Sequence, residues 1–406
     1  MAELTFRTAG ESHGPGIYTL VDGLPQGLEI NTEFIDAELR RRQGGYGRGG
    51  RQRIETDRAE YLSGVRLGHA TGSPILMCVA NKDSRLDDLE RTPPVYRPRP
   101  GHADLSGSVK WLTTDCRETL ERASARETAA RVSAGAIARC LLREFGIEVF
   151  GFVRGALDAI SDVAPDESNW RELRTLRDES DVYVPDSRVD ESMRAAIRQA
   201  KIDKDTVGGL VEAHVFGCPI GLGSCMNWDS KLDSRLAAAV MGIQAFKAVE
   251  IGLGRECAFR TGSAVHDPIG FDESLRSEPS MGFTRTSNNA GGLEGGMTNG
   301  MPVVVRGTMK PISTLLRGLP SVDLNTKTPE HSQYERSDVS AISAASVVME
   351  NVVAFEIARA FRDKFSGDSM TEVRAQYDTY MEYARRLPLD PPDRAEPNQA
   401  EDQTEE

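Results

Sequence analysis

The chain has 406 residues, with 49 Lys and Arg against 62 Asp and Glu, a net charge of −13. That length allows one large domain or two ordinary ones, and the acidic balance argues against a protein that depends on phosphate-backbone contacts, which needs a broad basic face. No apolar run approaches the ~20 residues of a membrane span, and the six scattered cysteines form no C-x-x-C pair, which suits neither a zinc site nor a disulfide framework. With no signal-peptide pattern at the start, the expected setting is a reducing cytoplasm.

Strands are expected at residues 4–8 and 17–21, separated by the turn Gly10-Glu11-Ser12-His13-Gly14. A helix follows over 33–42, capped by Asn31 or Thr32 and closed by Gly44. Its exit is the least ordinary stretch of the chain, RRRQGGYGRGGRQR at 40–53, with six Arg and five Gly in fourteen residues. Clustered guanidiniums repel one another, so the segment calls for an anion. Arginine offers a rigid fork of donors for carboxylate or phosphate oxygens, and glycine lets the backbone come close to a ligand. Alone, the segment fits an RNA-binding arm, a loop over a small polyanionic metabolite, or a solvated basic turn. Within an acidic body, a focused pocket for a small anion is favoured.

Strands at 61–67 and 75–80 come next, then a rigid loop, Arg97-Pro98-Arg99-Pro100-Gly101-His102-Ala103-Asp104. A long helix is expected over 115–145, rich in small residues and ended by Gly146, followed by a strand at 148–153. The polar stretch 162–187 reads as a peripheral insertion. After a strand at 210–216, a second helix spans 230–249. The glycine-rich run 291–300 leads into a strand at 303–309 and then Lys310-Pro311-Ile312-Ser313-Thr314. A third long helix starts near Ser337 or Asp338, either of which could cap it, and runs to about 361.

No regular βαβ alternation and no G-x-G-x-x-G after a strand appear, so a doubly wound nucleotide fold is disfavoured. The expectation is α+β, a single large domain over 1–387 with long helices, apolar on several sides, buried between sheets. Residues 388–406 form a Pro- and acid-rich tail expected to be disordered.

His13 and His102 stand on turns beside Gly and Arg, where an imidazole can exchange protons near neutral pH. His214, in VEAHVF, reads as structural. Ser124-Ala125-Arg126 and 310–314 add hydroxyls and cations suited to an anionic ligand with a flat part. No metal-ligand cluster and no nucleophile triad is evident.

These segments together resemble the chorismate synthases. GESHG with YTLVDGLPQGLEI is similar to that family's first signature, and RRRQGGYGRGGRQRIE to its arginine-rich loop. RPGHAD resembles its second histidine loop, RASARETAARVSAGAIA its second signature and RSDVSAISAASVVMENVVAFEIA its third. TSNNAGGLEGGMTNG and MKPIST are similar to its flavin-contacting segments. The resemblance implies helices sandwiched between antiparallel sheets, a homotetramer, and a lyase acting on 5-enolpyruvylshikimate 3-phosphate. That reaction is an anti-1,4-elimination of phosphate and a ring proton, and it needs reduced FMN without net redox change. It further implies His13, His102 and Asp338 as catalytic residues. Substrate would be held by Ser12, Arg42, Arg48, Arg51, Arg126 and Arg336. FMN would touch Arg42, Arg48, Ser124, Ala125, Arg126, Gln244, Ala245, Gly295, Lys310, Pro311, Ile312, Ser313, Thr314 and Arg336. Without an added reductase domain, an external flavin reductase is expected as partner, with NADPH entering only through flavin reduction. The rivals are a flavin oxidoreductase with net hydride transfer and an RGG-type nucleic-acid binder; the latter leaves His13, His102 and the third signature unexplained.

Overall fold

The computed structural model describes residues 3–49, 56–333, 335 and 337–389. Arg51, Arg336 and the acidic tail from 390 onward lie outside the described residues. Two antiparallel sheets bracket the long helices, as expected. The first contains β1 (Thr5–Ala9), β2 (Gly16–Asp22), β3 (Glu60–Ser63) and β4 (Ile75–Ala80) in the order β1-β2-β4-β3. Strand β4 buries Ile75, Met77 and Val79 on one face, the period-two alternation of a strand with one face in the core. The single strand expected at 61–67 is cut at Gly64, whose φ of 83° turns the chain. The second sheet contains β5 (Glu148–Ala156), β6 (Gly209–Phe216), β7 (Phe246–Ile251) and β8 (Val303–Met309) in the order β7-β8-β6-β5.

Helix α1 (Thr32–Gln43) starts where Asn31 accepts the Phe34 N–H, and Gly44 bonds back to Arg40 and Arg41. After α2 (Asp104–Trp111), the helix expected over 115–145 is broken. It comprises α3 (Arg117–Arg122), a 3₁₀ turn at Ala125–Glu127 and α4 (Thr128–Arg143). Ser124 causes the break: its backbone is extended and its hydroxyl accepts the Arg126 N–H, a local bond that competes with helix.

The stretch 162–187 is less peripheral than its polarity suggests. It holds α5 (Trp170–Glu179), whose Trp170 stacks on Phe216 and whose Arg177 reaches Glu350 in the core. Helix α6 (Ser187–Ile202), capped by Asp186, follows. The helix expected over 230–249 stops early as α7 (Leu232–Met241), and Ala245 at φ 69° turns the chain into β7. Helix α8 (Ile342–Lys364) begins later than expected, because Ser340 is held in a bridge to Val207. Neither Ser337 nor Asp338 caps it. Helix α9 (Met370–Arg385), opened by a Ser369–Glu372 capping box, ends the described fold.

Helix α4 packs under the first sheet and α8 on the second, and the two helices press against each other. Only Arg359, Asp363 and Lys364 of α8 escape burial. Gly135 allows the crossing: a Cβ there would lie 2.2 Å from the Asn351 carbonyl oxygen. Between α1, α4, α5 and α8 sits a buried charge network. Glu38 meets Arg41 at 2.7 Å and Arg139 at 2.8 Å, while Glu350 meets Arg139 at 3.1 Å and Arg177 at 3.2 Å. Such a network fixes register more than it adds stability.

Candidate active site

Loops from across the chain converge on a cavity of about 420 Å³, within the usual size of small-ligand sites. The β1–β2 turn contributes Ser12 and His13, the end of α1 and its exit loop Arg42 and Arg48, and the loop before α2 Arg99 and His102. Ser124, Ala125 and Arg126 come from the break before α4, and Gln244 and Ala245 from the turn before β7. Lys310, Pro311, Ile312, Ser313 and Thr314 follow β8, and Asp338 precedes α8. Gly295 is not brought there. It sits in a hairpin turn whose nearest neighbours for a Cβ are Cys225 and Met297.

The lining is strongly cationic: Arg42, Arg48, Arg99, Arg126 and Lys310 face Glu335 and Asp338. Behind it, Asp57 binds two of the arginines. Its carboxylate lies 2.6 Å from Arg42 Nη2 and 2.6 and 2.8 Å from Arg126 Nη1. Arg126 Nε also donates to Asn81 Oδ1 at 2.7 Å, so its guanidinium is fixed in direction. Burial pushes the Asp57 carboxyl up, but Arg42 and Arg126 outweigh it and hold it below the usual range. Burial, with Arg126 and Arg48 close by, lowers Arg42 despite the help of Asp57. A guanidinium destabilised by its neighbours gains from an incoming anion. Arg48 Nη1 reaches Asp338 at 2.6 Å. Lys310, lowered by burial and by Lys247, contacts the Gly101 carbonyl.

Both histidines rest on buried carboxylates. His13 Nδ1 lies 2.9 Å from Glu121, and His102 Nδ1 hydrogen-bonds Asp104. Arg99 joins Asp104 through Nε at 2.8 Å and donates to Thr314 Oγ1 at 3.0 Å, linking the histidine loop to the 310–314 segment. On another wall, Gln244 Nε2 donates to Glu127 at 2.8 Å, while its Oε1 is a buried acceptor without a hydrogen-bond donor among the described residues. His214, read as structural, is buried and bonded to Glu212 at 2.6 Å.

The sequence reading gave no role to Asp57, Asn81, Arg99, Glu121 or Glu335. Their types are common, and only the fold shows what they face. Asp104 and Arg99 did lie within the histidine motif, which was the one available signal. Among the described residues no cluster of His, Cys, Asp or Glu is placed to hold a metal ion.

Comparison with known proteins agrees with this arrangement. The family model for chorismate synthase matches residues 4–361. The chain is 51% identical to a chorismate synthase of Geobacter metallireducens, over 94% of this chain and 99% of that one. It is 48% identical to one of Desulforamulus reducens, over 95% and 100%. A crystal structure of chorismate synthase superposes with a TM-score of 0.76 at 39% identity, covering 95% of this chain and 99% of the other. The chain belongs to the chorismate synthase family of lyases.

Proposed function

We propose that the cavity binds 5-enolpyruvylshikimate 3-phosphate against reduced FMN and performs the anti-1,4-elimination that gives chorismate. The observation that carries this is the convergence of five cations and two carboxylate-backed histidines on one cavity. A substrate with two carboxylates and a phosphate matches that charge. Arg42, Arg48 and Arg126 would grip it beside Ser12, and Arg51 and Arg336 are assigned with them on sequence alone.

The lining also fits a flavin. The unsatisfied Gln244 Oε1 asks for an N–H of the kind a flavin ring presents. Ala245, Ser124–Arg126 and 310–314 surround it with backbone, hydroxyl and cationic groups. When bound, reduced FMN would supply an electron transiently and recover it, leaving no net redox change. The arginines stabilise the charge of the departing phosphate. His13 and His102 deliver protons, and Asp338 accepts the ring proton.

The catalytic unit is assigned to 1–387, with the tail dispensable. Reduction of the flavin is assigned to a separate NADPH-linked reductase, and the setting to the cytoplasm. No helix among the described residues is long and apolar enough to cross a membrane. A homotetramer is supported by the exposed Leu105, Val109, Trp111 and Leu112 around α2, an apolar patch of the kind that marks interfaces. Light scattering of the purified protein tests it.

Enzymatic activity is tested by mixing the protein anaerobically with substrate and chemically reduced FMN. Equal amounts of phosphate and chorismate, with the flavin still reduced at the end, are expected. Folded protein that releases neither overturns the proposal, and stoichiometric consumption of reductant would favour an oxidoreductase.

A further inference from the structure

The two histidines are mounted alike on two helices that touch. Helix α2 opens with Asp104, and α3 carries Glu121 near its end. The helices meet where Gly107 faces Thr119; a Cβ on Gly107 would lie 2.2 Å from Thr119 Cγ2. Both acid side chains are fully buried.

Each acid holds a histidine on one side and an arginine on the other. Asp104 accepts from His102 Nδ1, from Arg99 Nε at 2.8 Å and from the Arg99 backbone N–H at 3.0 Å. Glu121 accepts from His13 Nδ1 at 2.9 Å, from the His13 backbone N–H at 2.9 Å and from Arg117 Nη1 at 3.4 Å. Burial raises both acids, but the hydrogen bonds and the positive neighbours outweigh it and keep both below the usual carboxylate range. An ionised carboxylate only accepts. A hydrogen on Nδ1 is the arrangement that matches both carboxylates, and it leaves Nε2 as the proton-exchanging atom. At His13, Arg85 Nη2 lies 3.4 Å from Nε2, as a donor facing a lone pair would, although Asp83 lies 3.9 Å from the same atom. At His102, Arg99 Nη2 lies 3.0 Å from Nδ1 and 3.4 Å from Nε2, so Asp104 competes with a donor for Nδ1.

Resting on the lyase reading of the cavity, we propose that Glu121 and Asp104 are positioning residues, which lock His13 and His102 as Nδ1–H tautomers from one packed helix pair. The hydrogen bonds from the histidines, with the second partners Arg117 and Arg99 adding to them, keep the acids ionised. A carboxylate behind a catalytic imidazole is a known way to fix orientation and tautomer. Here the same device occurs twice, and the contact between α2 and α3 ties the placement of one ring to that of the other. Among the described residues, the charged groups around His13 and its carboxylate are Glu121, Arg117, Asp83 and Arg85, and those around His102 are Asp104 and Arg99.

The test uses Glu121→Gln and Asp104→Asn. Each amide can turn its NH₂ toward Nδ1 and so force the proton onto Nε2. In a Ser-His-Asp triad the corresponding Asp→Asn change lowers turnover by about 10⁴ through the wrong tautomer. Here kcat should fall by at least about 100-fold, with KM for substrate within about threefold. Nitrogen-15 solid-state spectra of labelled histidine give a readout that a merely structural role would not move. With six histidines in the chain, His→Gln variants assign the signals. The ligand-free wild-type protein should show protonated Nδ1 at His13 and His102, and each amide variant should move only its own ring toward Nε2–H. Wild-type rings protonated on Nε2 alone overturn the proposal whether or not the variants fold. So do folded amide variants that keep kcat within about twofold. Failure of the wild type to release phosphate would instead sink the lyase reading, and the spectra would still decide the tautomers.

Discussion

Asp338 Oδ2 lies 2.6 Å from Arg48 Nη1, and its other oxygen accepts the Gly49 backbone N–H at 2.6 Å. One carboxylate thus pins the arginine–glycine loop to the segment before α8. The contacts give it the role of holding the loop, the proposed function adds that of taking the substrate's ring proton, and Asp338→Asn separates the two. The amide keeps the shape and can still accept from Gly49, but it is no base. If Asp338 takes the proton, kcat should fall by about 100-fold or more, with a smaller rise in KM from the loosened Arg48. Anaerobic steady-state kinetics decide between the roles. A raised KM at full kcat would make Asp338 a holder of the loop alone.

Asp57 neutralises Arg42 and Arg126 together, and none of the three side chains is more than slightly exposed. Asp57→Asn removes the carboxylate charge that lies between these two buried guanidiniums. Removing one partner of a buried ion pair costs about 3–5 kcal/mol, so the variant should melt well below the wild type. Millimolar inorganic phosphate should restore more stability to the variant than to the wild type, because it can stand between the arginines. Thermal unfolding with and without phosphate checks this. Equal melting temperatures would show that the arginines need no counter-ion.

Much of the site was legible in the sequence because motifs there are local. His13, His102 and 310–314 each stand in short runs whose glycines and prolines announce a turn, Ser124–Arg126 in a small-residue run that pairs a hydroxyl with a guanidinium, and the fold gathers them. What stayed hidden depends on contacts between distant segments. Glu121 looks like any helical glutamate until the β1–β2 turn is laid against it, and Asp57 gains meaning only between Arg42 and Arg126. The helix errors have a similar source. Small apolar residues around 123–129 and 238–246 suit helix and close packing equally, so the break at Ser124 and the turn at Ala245 left no mark in periodicity. Gly295 shows the converse: a motif resembling a ligand segment lies in a hairpin apart from this cavity.

Gly135 marks a close crossing of two helices inside the sandwich. Its missing side chain lets α4 lie against the Asn351 backbone of α8, where a Cβ would stand 2.2 Å from a carbonyl oxygen. Gly135→Ala would normally favour helix by up to about 1 kcal/mol. Here the two helices must separate, and overpacking of this kind costs about 1–3 kcal/mol. Net destabilisation is therefore expected, visible as a lower urea midpoint. A stabilised variant would mean that the helices can part at no cost.

The buried network between α1, α4, α5 and α8 makes stability depend on acid pH. Burial raises Glu350, but Arg41, Arg139 and Arg177 outweigh it and bring it down to about 2. Glu38 is lowered in the same way by Arg41 and Arg139. In the unfolded chain a glutamate titrates near 4.3. Below that value the unfolded state takes up protons that the folded state refuses, so stability falls as pH drops from about 4.5 toward 2. Above that window the contribution is complete and flat. Glu350→Gln should cost about 3–5 kcal/mol at pH 7, because it removes the fully buried carboxylate shared by Arg41, Arg139 and Arg177. It should also lose less than the wild type on acidification, since one of the titrating groups is gone. Urea unfolding at pH 7, 4 and 2.5 separates the two effects. Parallel losses in both proteins would place the acid sensitivity elsewhere, with Asp57 and Asp104, each paired with arginine, as the next carboxylates to replace.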